Sequence, residues 1–97
     1  FNCYPAEIEI ILCGMPGIAR AAVIGVPDAR LGEVAQAYLV KDSKAHLDEA
    51  AVIEWAKGRM ANYKVPRSVI FLDELPMNAG GKVDKAVLIK YSQQGQP

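Results

Sequence analysis

The sequence predicts an α+β domain, a small sheet of about three strands covered by helices in the order α-β-β-α-β-α. Three observations predict it. Apolar residues recur at helical spacing near the start, two runs of small and β-branched residues follow back to back, and glycine and proline clusters separate the periodic stretches.

Ile8, Ile11, Leu12 and Met15 stand at the i, i+3, i+4, i+7 spacing that places one apolar stripe on a helix. Pro5 suits its first position, Glu7 and Glu9 are expected in its first turn at the positive end of the dipole, and Gly14, Pro16 and Gly17 end it. The runs 21–26 and 34–40 read as neighbouring antiparallel strands, with 27–33 as the loop between them. A polar stretch, 41–46, leads to a second helix. Asp48 is its expected N-cap, Leu47 and Val52 form a hydrophobic staple, and it is expected to run to about Met60.

The short branched and aromatic run 68–72 predicts a third strand. Asn78-Ala79-Gly80-Gly81 is turn chemistry that few cores contain. Lys82-Val83-Asp84-Lys85 then returns the chain to a last helix carrying Val87, Leu88 and Tyr91. Residues 1–91 are expected to form the domain, and 92–97, with three glutamines, a flexible tail.

At 97 residues and 52% hydrophobic composition the chain can bury one modest core, too little for a complete multi-substrate enzyme. Eleven cationic side chains balance 11 anionic ones, which removes the charge excess that nucleic acid or an anionic membrane would require. Any phosphate chemistry must rest on local cations. Cys3 and Cys13 form no CxxC pair and no Cys/His cluster, so neither a metal site nor a disulfide scaffold is expected, and a reduced cytoplasm is the natural compartment. No apolar run approaches the roughly 18 residues of a membrane span, and the first residues lack the order of a signal peptide. Because the chain opens on Phe1 without a methionine, a longer chain cut just before it is expected.

Four local patterns resemble one family, the adenylate-forming acyl-CoA synthetases of the AMP-binding superfamily. Phe1-Asn2-Cys3-Tyr4-Pro5-Ala6-Glu7-Ile8-Glu9 resembles the segment after that family's inter-domain hinge. Ala22-Val23-Ile24-Gly25-Val26-Pro27-Asp28, with Gly32-Glu33, resembles its first strand and loop. Tyr63-Lys64-Val65-Pro66-Arg67 and Leu75-Pro76-Met77-Asn78-Ala79-Gly80-Gly81-Lys82-Val83-Asp84-Lys85 complete the set. Each alone is weak; four in order across nearly the whole chain make a specific signal, closest to fatty-acyl and other carboxylate-CoA ligases.

The resemblance implies the mobile C-terminal lid domain of a two-step enzyme. ATP and a carboxylic acid give an acyl-adenylate, and CoA then displaces AMP. Lys82 would be the adenylation lysine, and the physics fits: negative charge grows on phosphate oxygens as a carboxylate attacks, and an ammonium delivered there on a long stem stabilises that state. Gly80 and Gly81 keep the loop narrow, and Gly81 is expected to face the nucleotide. Arg67 and Lys64 would meet CoA phosphates, Arg67 with the better claim because a guanidinium binds phosphate bidentately. The acid pocket, most ATP contacts and Mg2+ would belong to a large N-terminal domain of the same chain, so this portion is expected to be inactive alone.

Simpler readings stand beside these. Tyr4 is expected to pack locally, Asp28, Arg30, Gly32 and Glu33 to build a structural loop, His46 to be solvated and Trp55 to be partly buried. Two rival functions remain: a stand-alone interaction or regulatory module in which Lys82 is incidental, and a lid of an enzyme whose acceptor is a carrier protein.

Overall fold

The computed structural model describes residues 4–94. Its elements are helix α1 (Pro5–Leu12), strands β1 (Ile18–Asp28) and β2 (Gly32–Lys41), helix α2 (Glu49–Lys57), a 3-10 turn (Asn62–Lys64), strand β3 (Ser68–Phe71) and helix α3 (Lys85–Gln94). This is the order expected from the sequence. Cys3 lies outside the described residues, and Cys13 is an exposed free thiol.

Pro5 occupies the start of α1, where a missing N–H costs nothing, and Ile8 and Leu12 are fully buried while Met15 is buried just past the helix end. Glu7 is in the first turn as expected. Glu9 lies beyond it and has another use: its carboxylate accepts the Val23 N–H at 2.8 Å and pairs with Lys85 at 2.7 Å.

β1 and β2 pair antiparallel from Ile18↔Lys41 to Asp28↔Gly32, so the loop expected at 27–33 shrinks to a turn at 29–31. Proline does not break β1. The Val23 N–H points away from β2, and by the two-residue repeat so does position 27, where proline has no N–H to leave unpaired. Asp28 closes the turn by accepting the Arg30 and Leu31 N–H groups, each at 2.9 Å, and Gly32 supplies a φ of 83°. Those two bonds, Leu31's foremost, hold the Asp28 carboxyl below its ordinary value, with Arg67 and Arg30 adding smaller contributions.

β3 joins the other side of β2 in parallel, from Gln36↔Ser68 to Leu39↔Phe71, giving the sheet order β1-β2-β3. Its outward Val69 N–H is taken by Glu49 at 2.8 Å. Asp48 caps α2 as expected, accepting the Ala51 N–H at 2.8 Å. The helix stops at Lys57, short of Met60, because Gly58 follows and glycine is a poor helix former. α3 extends to Gln94, three residues into the segment expected as a tail; residues 95–97 lie outside the described residues.

Two cores result, one on each face of the sheet. Ile8 and Leu12 of α1, Val52 and Ala56 of α2, and Val65 pack against Val23, Ala35, Ala37, Leu39 and Val69. On the opposite face, Leu88 of α3 and Leu75 pack against Ala22, Ile24 and Tyr38, with Val83 at the margin. Tyr38 brings a polar group into that second core. Its hydroxyl lies 2.7 Å from Gln36 Oε1 and 3.3 Å from the Leu88 carbonyl, Gln36 Nε2 donates to Ser68 at 3.1 Å, and burial pushes the phenol's pKa up. Among the described residues no helix is long and apolar enough to cross a membrane.

Candidate functional site

Lys82 sits at the end of a tightly tied turn rather than in a slack loop. Leu75, 2% exposed, anchors the entering strand segment, and Met77 and Val83 form an antiparallel bridge that closes the turn's base. Within it Asn78 N–H donates to the Lys82 carbonyl at 2.8 Å, and Gly81 N–H donates to the Asn78 carbonyl at 3.0 Å. The Asn78 side chain fills the centre: its Oδ1 accepts the Gly80 N–H at 2.9 Å and the Lys82 N–H at 3.1 Å. Gly81 adopts a φ of 83°, where a side chain would be strained, so the second glycine of the pair is required by the backbone.

Just after the turn, the Asp84 N–H donates to the Pro76 carbonyl at 2.8 Å, and Lys85 begins α3 with its ammonium on Glu9. Arg20 of β1 reaches the Met77 sulfur at 3.9 Å. Lys82 itself is exposed, and its ammonium forms no hydrogen bond or ion pair among the described residues. The backbone is fixed while the charge is left free.

The other expected residues gather elsewhere. Arg67 precedes β3, its N–H bonded to the Ala35 carbonyl at 2.9 Å, and it lines a groove of about 220 Å³ with Ile53, Lys57, Asn62, Val65 and Pro66. This groove lies on the α2 face of the sheet, whereas Val83 and the Lys82 turn lie on the α3 face. Lys64 is not free for the groove. Its ammonium is 2.7 Å from Glu7 and lies over the rings of Tyr4 and Tyr63 at 4.9 and 5.6 Å, and the Glu7 bond raises its pKa.

Tyr4 packs as expected, edge-on to Tyr63 at 6.5 Å. Trp55 carries Arg59 over its ring at 4.1 Å, and His46 is exposed. Glu33 folds back over Gly25, where a Cβ would come within 2.3 Å of its carboxyl. A larger groove of about 370 Å³ at the ends of β2 and β3 includes Asp42 and Asp73, and its one ammonium, Lys41, lies over Phe71 at 4.8 Å. Two carboxylates make it a poor phosphate site.

Sequence reasoning missed two residues: Lys57, which reads as any helix-surface lysine, and Asn78, which reads as generic turn composition. The Asn-Ala-Gly-Gly string did signal Asn78, since asparagine in a turn commonly accepts N–H groups two residues on.

Solved structures share this three-stranded mixed sheet between helices, the architecture of the C-terminal domain of adenylate-forming enzymes. ATP-bound MatB from Rhodopseudomonas palustris superimposes with a TM-score of 0.86 at 48% identity, over 93% of this chain and 18% of that one. The amide bond synthetase McbA from Marinactinospora thermotolerans gives 0.88 at 31% identity, over 94% and 18%. The chain belongs to the family described as AMP-binding enzyme C-terminal domain, matched over residues 7–82.

Among curated relatives, it is 57% identical over 88 residues to the 3-[(3aS,4S,7aS)-7a-methyl-1,5-dioxo-octahydro-1H-inden-4-yl]propanoyl:CoA ligase of Mycobacterium tuberculosis, covering 91% of this chain and 17% of that enzyme. It is 45% identical over 87 residues to the long-chain-fatty-acid–CoA ligase FadD13 of the same species, covering 90% and 17%. The chain therefore spans about a sixth of the length of the curated relatives it matches.

Proposed function

We propose that this chain is the lid domain of a carboxylate-CoA ligase and that Lys82 is its adenylation lysine. In the first step a substrate carboxylate oxygen bonds to the α-phosphorus of ATP and the bond to pyrophosphate breaks, giving the acyl-adenylate. In the second, the CoA sulfur bonds to the acyl carbon and AMP leaves. The observation that carries the reading is the Lys82 turn: a backbone tied at both ends by the Met77–Val83 bridge and the Asn78 bonds, with an unpartnered ammonium at its edge. Such a charge stabilises oxygens that become more negative in the transition state, and rigid delivery spares the reaction the cost of aligning it. Gly81 lets the backbone turn next to the nucleotide.

The acceptor assignment rests on Arg67, since the fold is shared with a neighbour named for amide bond synthesis. Arg67 and Lys57 together offer two cations on one groove, which suits the phosphates of CoA. Among the described residues Lys57 is held only by a long, exposed 3.8 Å pair with Glu54. Lys64 could contribute there only by leaving Glu7. Because that groove and the Lys82 turn lie on opposite faces of the sheet, serving both steps requires the domain to turn over between them, a hinge-type motion.

The described residues contain no group of three or more His, Cys, Asp or Glu side chains placed to hold a metal ion. They do not fit a magnesium site. In this reading magnesium, the acid pocket and most ATP contacts belong to the large N-terminal domain.

Carboxylate-dependent ATP–pyrophosphate exchange on the full-length ligase, wild type beside Lys82→Ala, tests the proposal. Loss of exchange by about two orders of magnitude or more, as expected for removal of a key transition-state donor, supports it. Unchanged exchange would make Lys82 a surface lysine and this domain a binding or regulatory module.

A further inference from the structure

We infer that Asn78 is the positioning residue for Lys82, and that its side-chain oxygen acts in the adenylation half-reaction alone; this rests on the reading of Lys82 above. Asn78 makes no hydrogen bond to the lysine's ammonium. It holds the backbone from which that charge is launched, accepting the Lys82 N–H at 3.1 Å and the Gly80 N–H at 2.9 Å through Oδ1. Its own N–H donates to the Lys82 carbonyl at 2.8 Å, so both backbone polar groups of Lys82 are tied to this one residue.

The geometry explains why a side chain is needed. Gly80 and Gly81 are the most permissive residues available, and Gly81 already sits at a φ of 83°. Without an internal acceptor two adjacent glycines would leave the turn many conformations, and the lysine's stem has four rotatable bonds of its own. Asn78 is the only side chain among the described residues that accepts a hydrogen bond from the turn's backbone. The bridge from Met77 to Val83 fixes the base of the turn but not its tip. The Asn78 oxygen removes the freedom at the tip, which is where the reach and direction of the Lys82 stem are set.

The requirement is for an acceptor, not for an amide. Aspartate keeps the oxygen in the same place and supports the same turn, whereas leucine keeps the size and loses it. A displacement of about 1 Å at a reacting group can cost about a hundredfold in rate. The effect should fall on the maximal rate more than on substrate affinity, because in this reading the acid pocket and most ATP contacts belong to the N-terminal domain and the Lys82 charge counts most as charge grows on the phosphate oxygens.

The test uses the full-length ligase in four forms: wild type, Asn78→Leu, Asn78→Asp and Lys82→Ala. Each is assayed for ATP–pyrophosphate exchange and, separately, for thioester formation from preformed acyl-adenylate and CoA. The expected result is a loss of about tenfold to a hundredfold in the maximal exchange rate for Asn78→Leu. KM values for ATP and acid should stay within about threefold, Asn78→Asp should lie within about threefold of wild type, and thioester formation should be unchanged in both. The thioester rate also reports that the variants are folded. Wild-type exchange in Asn78→Leu, equal damage in Asn78→Asp, or equal loss in both half-reactions overturns the inference. If Lys82→Ala loses exchange while Asn78→Leu does not, only the positioning role falls; if Lys82→Ala keeps exchange, the reading of Lys82 falls and takes this role with it.

Discussion

The ammonium of Lys64 lies 2.7 Å from the carboxylate of Glu7, across 57 positions of sequence, and ties the 3-10 turn before β3 to the first turn of α1. The ion pair makes Lys64 a clamp between two segments. Arg67, three residues on, lines an open groove with Lys57 instead.

The two cations should therefore separate in a CoA titration of the full-length ligase. Arg67→Ala is expected to raise KM for CoA about tenfold or more, the loss of one charge-assisted bond to phosphate. Lys64→Met should change that KM by less than about threefold and instead lower the thermal midpoint. Equal effects on KM would show that Lys64 leaves Glu7 to meet CoA.

Stability should fall on the alkaline side. The pKa of Lys64 is raised by Glu7 and that of Tyr38 by burial, so the folded chain holds both protons more tightly than the unfolded chain does. Each contribution is present in full at neutral pH and is lost as pH rises past about 10 through the raised folded values. Urea unfolding midpoints from pH 8 to about 11 should fall less steeply in Tyr38→Phe and in Glu7→Gln than in wild type. Asp28 has the opposite sign: its carboxyl is held low by the Leu31 and Arg30 N–H groups, so its contribution is lost as pH falls below its ordinary 3.8 through the depressed value.

In the core, Leu88 is fully buried between α3 and the sheet, and Leu88→Ala should cost about 2–5 kcal/mol by denaturant unfolding. Ile10, 75% exposed on α1, provides the contrast, and Ile10→Ser should stay within about 0.5 kcal/mol of wild type.

The glycine pair before Lys82 should be unequal. Gly81→Ala places a side chain at a φ of 83° and should cost about 1 kcal/mol through backbone strain, with Gly81→Asn recovering much of it because asparagine tolerates that region. Gly80→Ala would put its Cβ 3.4 Å from Asn78 Oδ1, an ordinary contact, and should be nearly neutral. Thermal melts of the three variants decide this.

Much of this was legible in the sequence because it is local. The stripe from Ile8 to Met15, the Asp48 cap and the turn chemistry at Asn78 each involve residues within a few positions of one another. What the sequence could not show is long-range. The parallel pairing of β3 to β2 uses the edge of β2 that β1 leaves free, and the Lys64–Glu7 pair and the Glu9–Val23 bond depend on how helices dock. Glu9 illustrates the limit: its position near a helix start suggests a dipole role, and only the fold reveals the strand N–H in front of it. Lys57 has no local signal at all, since its partner in the groove comes from another element.

The carboxylates of Glu9 and Glu49 each occupy an outward N–H on an outer strand, at Val23 and Val69. An open sheet edge is otherwise an invitation to any passing strand, including one from another molecule of the same protein. Each carboxylate takes up a donor that a fourth strand would need, which makes the sheet a poorer seed for chain-to-chain polymerisation.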